Sequence, residues 1–342
     1  MITNWKILIS AALLLVAQPG FADDKATATA RLQSVDALTA LDSPAVKPWH
    51  LKLNVQLFDD RGKPTEQGDI EEWWANPQQS LISYTFPSYT GKVLQTADGT
   101  FRTAHFGVPP MLVALLLDQV VHPMPRAADL EGTEPTLRKE TVATLPLACI
   151  MLSQPLKDVP VQPLGLFPTY CLDESKDILR ATYFLGSVAA VQNTVGKFQN
   201  LMIATNVTVN VGATKLAEAR LTALAGLKPD ATLFSKPEGF EPVGKMTLVS
   251  SEVMNDQALI KVPTVYPATA KSKHSDGAVV MRAIIGRDGH VHTLQLKSTP
   301  DADLALSALY AVRQWVYKPY LLNGEAVDVD TTITVRFQYR GK

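Results

Sequence analysis

The chain has 342 residues, is 46% hydrophobic and 19% charged, and carries a formal net charge of −1. That balance is ordinary for a globular protein able to bury real cores, and it gives no electrostatic reason to expect nucleic acid as a partner. A chain of this length is most simply two domains.

The N-terminus reads as an export signal. Lys6 precedes an apolar run over residues 7–17, Pro19-Gly20 breaks it, and Gly20 and Ala22 flank Phe21 as the small residues that a signal peptidase requires. The run is too short to cross a bilayer, which takes about 20 residues. Residues 1–22 are therefore expected to be a cleaved signal peptide, with a soluble periplasmic chain beginning near Asp23. No Cys follows the run, so no lipid anchor is indicated.

Residues 26–41 read as a helix, with Leu32, Val35 and Leu38 on one stripe. From Trp49 the period becomes two: Trp49, Leu51, Leu53, Val55 and Leu57 alternate with polar residues, as in a half-buried strand. Further strands are expected over residues 69–75, 81–86, 92–96 and 100–105, the last two joined by the hairpin pair Asp98-Gly99. Residues 111–121 read as a short apolar helix, residues 147–152, 178–184 and 201–211 as strands, and residues 214–227 as a second helix closed by Gly226 and Pro229. Trp73 and Trp74 are neighbours in a strand and must point to opposite faces. One is expected in the core and the other at a rim or against a ligand. Residues 229–262, rich in Pro and Gly, read as a connector with a short strand near residues 247–253.

Cys149 and Cys171 are the only cysteines. In an oxidising compartment such a pair is usually a disulfide. Neither has a His or basic residue adjacent that would mark a reactive thiol. Of the six histidines only His290 and His292 are close, and without a carboxylate or thiol at ligand spacing they are expected to be solvated rather than to bind metal. No phosphate loop, nucleophile elbow or zinc-protease helix is present. No cofactor and no enzymatic activity are expected.

The C-terminal part, residues 263–342, reads as a ββαβ unit. Residues 277–286 form an apolar strand, Asp288-Gly289 a hairpin turn, and residues 290–297 the returning strand. Thr299 is the expected helix cap, Pro300 the first helical position, and Ala305, Ala308, Val312 and Trp315 the stripe that faces the sheet. Pro319 stops the helix and Asn323-Gly324 makes a tight turn. In the last strand Val327, Val329, Thr331, Ile333, Val335 and Phe337 share one face, with Asp328, Asp330, Thr332, Thr334, Arg336 and Gln338 on the other. The fold class is thus α+β: a curved antiparallel sheet with packed helices, then a small ββαβ domain.

Two resemblances attach to these residues. The layout of residues 27–227, with Pro48-Trp49-His50-Leu51-Lys52 and Glu71-Glu72-Trp73-Trp74, resembles the LolA/LolB-type periplasmic lipoprotein-carrier fold, an open half-barrel behind an N-terminal helix. That resemblance implies a concave apolar face able to hold an acyl chain or lipoprotein; a filled core would give the same pattern. More specifically, Val265-Tyr266-Pro267-Ala268, Gly277-Ala278-Val279-Val280, Arg287-Asp288-Gly289-His290-Val291, Gln314-Trp315-Val316-Tyr317-Lys318-Pro319, Asn323-Gly324-Glu325 and Thr331-Thr332-Ile333-Thr334-Val335-Arg336-Phe337 resemble, in order, the TonB C-terminal domain. Thr264 departs from it, standing where many relatives have a second proline.

The second resemblance implies a domain that pairs an extended N-terminal segment of an outer-membrane receptor against a sheet edge. The expected edge is residues 327–338. A TonB energy transducer also has an uncleaved N-terminal helix and a long Pro-, Lys- and Glu-rich spacer, and neither is read here. Two functions remain open: a peptide-binding protein associated with TonB-dependent transport, and a lipid or lipoprotein carrier with the TonB-like part as its docking piece.

Overall fold

Alternation from Trp49 sets the architecture. Strand β1 (Trp49–Phe58) puts Trp49, Leu51, Leu53 and Val55 on one buried face, the period of two expected of a strand. The computed structural model describes residues 21–339 except 143–144, 157–158, 160–161, 187, 229, 231 and 244–245. The expected signal peptide lies, up to residue 20, outside the described residues, as does Pro229. Helix α1 (Phe21–Thr39) opens the described chain and buries Ala28, Leu32 and Val35, whereas Leu38, expected on that stripe, is exposed.

After β1 come β2 (Pro64–Asn76), β3 (Gln79–Thr85), β4 (Thr90–Thr96) and β5 (Gly99–Thr103), then helices α2 (Met111–Val121) and α3 (Ala127–Leu130). A second series follows: β6 (Glu134–Val142), β7 (Leu145–Ser153), β8 (Thr169–Asp173), β9 (Leu179–Phe184), β10 (Val188–Phe198), β11 (Leu201–Val211) and β12 (Thr214–Gly226). With β13 (Phe240–Pro242) these strands make one open, curved 13-stranded sheet in the order β13-β5-β4-β3-β2-β1-β12-β11-β10-β9-β8-β7-β6. It consists of two meanders, β1–β5 and β6–β12, that meet where β1 pairs with β12, from Trp49↔Gly226 to Leu57↔Ala217.

Strand β12 corrects the helix expected over residues 214–227. Its Ala, Leu, Glu, Lys and Arg content favours a helix by local propensity. Here β1 on one side and β11 on the other each present backbone groups that need a partner. A central strand satisfies both, and buried backbone groups must be paired. The interior face then carries Ala217 and Ala219, small enough to lie under α2. Strands β6, β8 and β10 were not read from the sequence: β6 is largely polar, β8 is short and buried throughout, and half of β10 is polar.

Val113, Leu116, Leu117, Val120 and Val121 of α2 pack against Leu51, Leu53, Val55, Ile203, Val207 and Val209. Over these strands the sheet therefore holds a filled core. Trp74 is buried there and stacks on Trp49 at 5.8 Å. Trp73 points to the other face, stacks on His50 and joins a separate cluster with Leu94 and Phe234.

The connector is woven into both sheets. Strand β13 pairs with β5, and β14 (Thr247–Leu248) joins the small sheet. Of the strand expected near residues 247–253 only β14 forms, and helix α4 (Ser251–Asp256) takes residues 251–253. There follow β15 (Ala258–Ile260), α5 (Ala268–Ser272), β16 (Gly277–Ile285), β17 (Val291–Ser298), α6 (Ala302–Val312), β18 (Val316–Tyr317), β19 (Leu321–Leu322), β20 (Glu325–Ala326) and β21 (Val329–Phe337). The small sheet runs β14-β21-β16-β17. Helix α6 starts two residues later than expected: its cap is Asp301, whose carboxylate accepts from the N–H groups of Asp303 and Leu304. Thr299 instead braces Asp301, with its hydroxyl donating to the Asp301 carbonyl at 2.7 Å.

Cys149 and Cys171 face each other in register on β7 and β8, are fully buried, and are joined by a disulfide. The bridge closes a loop of 22 positions, worth about 3 kcal/mol in the chain-entropy picture. Replacing both cysteines by Ala is expected to lower the unfolding free energy by about 2–4 kcal/mol in urea titrations. Native protein should also resist alkylation until it is both unfolded and reduced; two thiols labelled in the native state would refute the bridge.

Candidate functional site

Strand β21 is bonded along its whole length to β16, from Gly277↔Phe337 to Ile285↔Val329. On its other side β14 reaches only Val329 and Asp330. There the N–H of Thr247 donates to the Asp328 carbonyl at 3.2 Å, and that of Val249 to the Asp330 carbonyl at 3.1 Å. Backbone groups alternate sides along a strand. Thr332, Thr334 and Arg336 thus turn their N–H and C=O the same way as Asp330, and among the described residues no strand meets them. Their side chains are exposed, whereas Val329, Ile333, Val335 and Phe337 are buried against the helical layer. Within the expected edge of residues 327–338, the strand itself spans Val329–Phe337 and its N-terminal part is engaged. Val327 precedes the strand, its N–H donating to the Tyr320 carbonyl at 3.0 Å, and Thr331 is buried with its hydroxyl on the Val249 carbonyl at 2.8 Å.

The residues that carry the TonB resemblance build a frame around this edge. Gly289 has φ +80°, and a Cβ there would lie 2.0 Å from the Tyr317 carbonyl oxygen; only glycine closes that turn. The Tyr317 N–H donates to the Gly289 carbonyl at 2.8 Å. The Trp315 indole donates to the Val262 carbonyl at 3.0 Å, and the Tyr266 ring meets Phe337 edge-on at 5.7 Å with its hydroxyl on the Ser275 carbonyl. Pro267 precedes α5, Gly277 begins β16, Pro319 is exposed after β18, and Asn323-Gly324 turns β19 into β20 with φ +54° and +88°.

His292 corrects the expectation that both close histidines are solvated. His290 is exposed, but His292 is buried with Nε2 2.8 Å from the Asp288 carboxylate. A Cβ on Gly286 would come within 2.8 Å of that ring, so glycine makes the space for it. Asp328 and Asp330, expected on a polar outer face, are buried as well. Asp328 accepts from Arg102 Nη1 at 2.9 Å and from the Arg287 N–H at 3.1 Å, and Glu241 accepts from Arg102 Nε at 3.2 Å. Asp330 accepts from Arg282 Nε at 2.9 Å. The first group of pairs fastens the small sheet to β5 and β13. A shared apolar cluster ties the small sheet to the region of β7 as well, with Met151, Leu166 and Phe167 packing beside α6 and β17.

Beside this junction lies a cavity of about 550 Å³, lined on one side by Leu152, Phe167 and Tyr170 and on the other by Thr293, Gln295 and Leu296 of β17. The interior of the large sheet is thus filled under α2, and over β7–β9 it packs on Leu32 and Val35 of α1, with the cavity between these layers and β17.

Two further carboxylates, Glu72 buried and Asp118 exposed, bear on the large sheet and were not singled out from the sequence. Glu72 lies on the apolar face of β2 between Ile70 and Trp74, is 5% exposed, and its Oε2 has no hydrogen-bond partner. Desolvation, with smaller like-charge contributions from Asp42 and Asp118, pushes its pKa up to about 8. Asp118 lines the cavity from α2. Parity along β2 and a lone acid in the apolar run of α2 were the available signals. Among the described residues no group of three or more His, Cys, Asp or Glu side chains could hold a metal, and no helix is long and apolar enough to cross a membrane.

Residues 262–339 match the family described as Gram-negative bacterial TonB protein C-terminal. Distant likenesses among solved structures cover the N-terminal part. One is a LolA superfamily protein from Nitrosomonas europaea, 10% identical over 61% of this chain and 97% of that one, TM-score 0.41. Another is described as an outer membrane lipoprotein-sorting protein domain from Vibrio parahaemolyticus, 8% identical over 62% and 97%, TM-score 0.38. No curated protein matches the chain.

Glu72 makes stability depend on pH. Below its unfolded value of 4.5 the group is protonated in both states; between 4.5 and 8 only the unfolded chain gives up the proton. Stability is therefore lost as pH rises through that window, by up to about 1.4 kcal/mol per pH unit. Glu72→Gln is expected to flatten this slope and to be more stable than the parent at pH 7 by about 1–3 kcal/mol. Urea unfolding at several pH values checks it: parallel curves for parent and variant would show that Glu72 carries no such penalty.

Proposed function

We propose that this protein is a non-enzymatic, periplasmic, envelope-associated binding protein whose small sheet takes an extended peptide as an added strand on β21. The observation that carries this reading is the row of unpaired backbone groups at Thr332, Thr334 and Arg336 on an otherwise fully bonded strand. Such a row is a template for a further strand. The match of residues 262–339 to the TonB C-terminal family supports N-terminal segments of TonB-dependent outer-membrane receptors as the partner. Because β14 already takes Asp328 and Asp330, an added strand pairs from Thr332 onward. Among the described residues the connector is tied into both sheets rather than running as a long free spacer, which favours binding without force transmission. A second reading, carriage of an acyl-bearing ligand, is favoured by the cavity beside β17.

The test is a pair of variants at one position. The Thr334 N–H faces outward, so Thr334→Pro removes a donor for the incoming strand without breaking a bond to β16. Thr334→Ala keeps that donor. With both variants shown to be folded, titration with receptor N-terminal peptides should give at least about a fivefold to tenfold weaker affinity for the proline variant, and near-parental affinity for the alanine variant. Equal binding by the two would remove β21 as the site. Phe337→Ala, by contrast, should destabilise the small sheet by about 3–5 kcal/mol as a core truncation.

A further inference from the structure

A strand added to β21 brings side chains as well as backbone, and those that point outward lie beside Thr332, Thr334 and Arg336. That face of the small sheet carries a surplus of positive charge. Arg336 is exposed and has no hydrogen bond or ion pair among the described residues. Strand β16 buries Val279 and Met281 and turns Val280 and Arg282 to the outer face, where Thr334 and Thr332 are their register partners. Strand β17 adds the exposed Lys297.

A hollow of about 570 Å³ opens on this face at the N-terminal end of the free edge. Thr332, Val280, Arg282 and Lys297 line it from the sheet, and Ser250 and Ser251 from the start of α4. Among its described lining residues the one acid is Asp330, and both oxygens of that carboxylate accept from Arg282 Nε, at 2.9 and 3.1 Å. Nη1 of Arg282 has no hydrogen bond among the described residues, and the side chain is 52% exposed, so it can take a second carboxylate. Lys297 donates to the Gln295 amide oxygen at 2.8 Å, a neutral partner that leaves its charge uncompensated. The whole chain has a formal net charge of −1, so the surplus of cations is local to this face.

We infer that the peptide strand taken by β21 is acidic on its outward side, with one carboxylate at the hollow beside Thr332 and another at Arg336. These two points stand four residues apart on one face of β21, so acidic residues four positions apart on the added strand meet both. The inference rests on the strand-addition reading and narrows it, from any extended segment to one whose outward residues carry carboxylates. Opposite charges side by side on neighbouring strands attract and like charges repel, so lysine or arginine at those positions is disfavoured. Backbone bonds hold the strand without regard to its sequence; Arg282, Lys297 and Arg336 choose among strands.

Calorimetric titration of the full chain with three heptapeptides, blocked at both ends, separates the outcomes. One alternates threonine and valine; the others carry glutamate or lysine in place of every threonine. The glutamate peptide should bind about threefold to tenfold tighter than the threonine peptide, as for two exposed cross-strand ion pairs, and the lysine peptide should bind weakest. High salt should shrink the spread. In the double variant Arg336→Gln, Lys297→Gln, with both changes at exposed side chains, the glutamate advantage should fall to about twofold or less while the threonine peptide binds as before. Equal binding of the three peptides, all lost in Thr334→Pro, would overturn the inference and leave strand addition standing. No binding by any of them, or binding that survives Thr334→Pro, would overturn both. A glutamate advantage that persists undiminished in the double variant would overturn the assignment to these cations.

Discussion

The pairing of β1 with β12 is the constraint on which the rest of the molecule depends. It joins segments far apart in sequence, so the chain must first lose the entropy of closing a long loop. In return, two separate meanders become one continuous sheet, and its edges fall at β13 and β6. The face with Trp49, Leu51 and Leu53 on β1 and Ala217 and Ala219 on β12 is then wide enough to receive α2. Small residues on β12 against large ones on β1 let that helix lie close. Beyond α2 the sheet packs on α1, and the cavity lies between Asp118 of α2, β7 and β17.

A second junction decides what the small sheet can offer. Asp328, Arg102, Arg287 and Glu241 tie it to β5 and β13, while Met151, Leu166 and Phe167 share its apolar cluster. Buried charges of this kind fix geometry more surely than they add stability. One outcome is that β17 faces the cavity while β21 faces outward. Another is that the connector runs close enough to place β14 on the first two residues of β21. The free edge is shortened from its N-terminal end and left open over Thr332, Thr334 and Arg336.

Carboxylates inside the large sheet differ in what surrounds them. Asp42 lies low in pKa: burial opposes ionisation, but contacts with His122 and Arg126 outweigh it. Glu72 has no such partner, and for Asp118 desolvation outweighs the weaker pull of Arg126 and His122. Structural demands do not explain Glu72 on the apolar face of β2, since an apolar residue would pack better there. Unpaired polar groups of this sort tend to be kept for binding.

What the sequence determined by itself were the features set by local chemistry. The period of two in β1 and β21, the apolar helix α2, and the turns at Asp288-Gly289 and Asn323-Gly324 follow from side-chain alternation and from residues that tolerate positive φ. The Tyr266, Trp315 and Tyr317 positions were legible as family motif, and each makes a contact that holds the small domain together. Tertiary structure decided the rest. Residues 214–227 are a strand because two distant neighbours need their backbone groups, against a local preference for helix. His292, Asp328 and Asp330 are buried because partners from elsewhere, Asp288 across the turn and arginines on β5, β16 and the loop after it, meet them there. Glu72 stands out only once the fold buries it without a partner, because whether a charge is satisfied depends on groups that sequence proximity does not reveal.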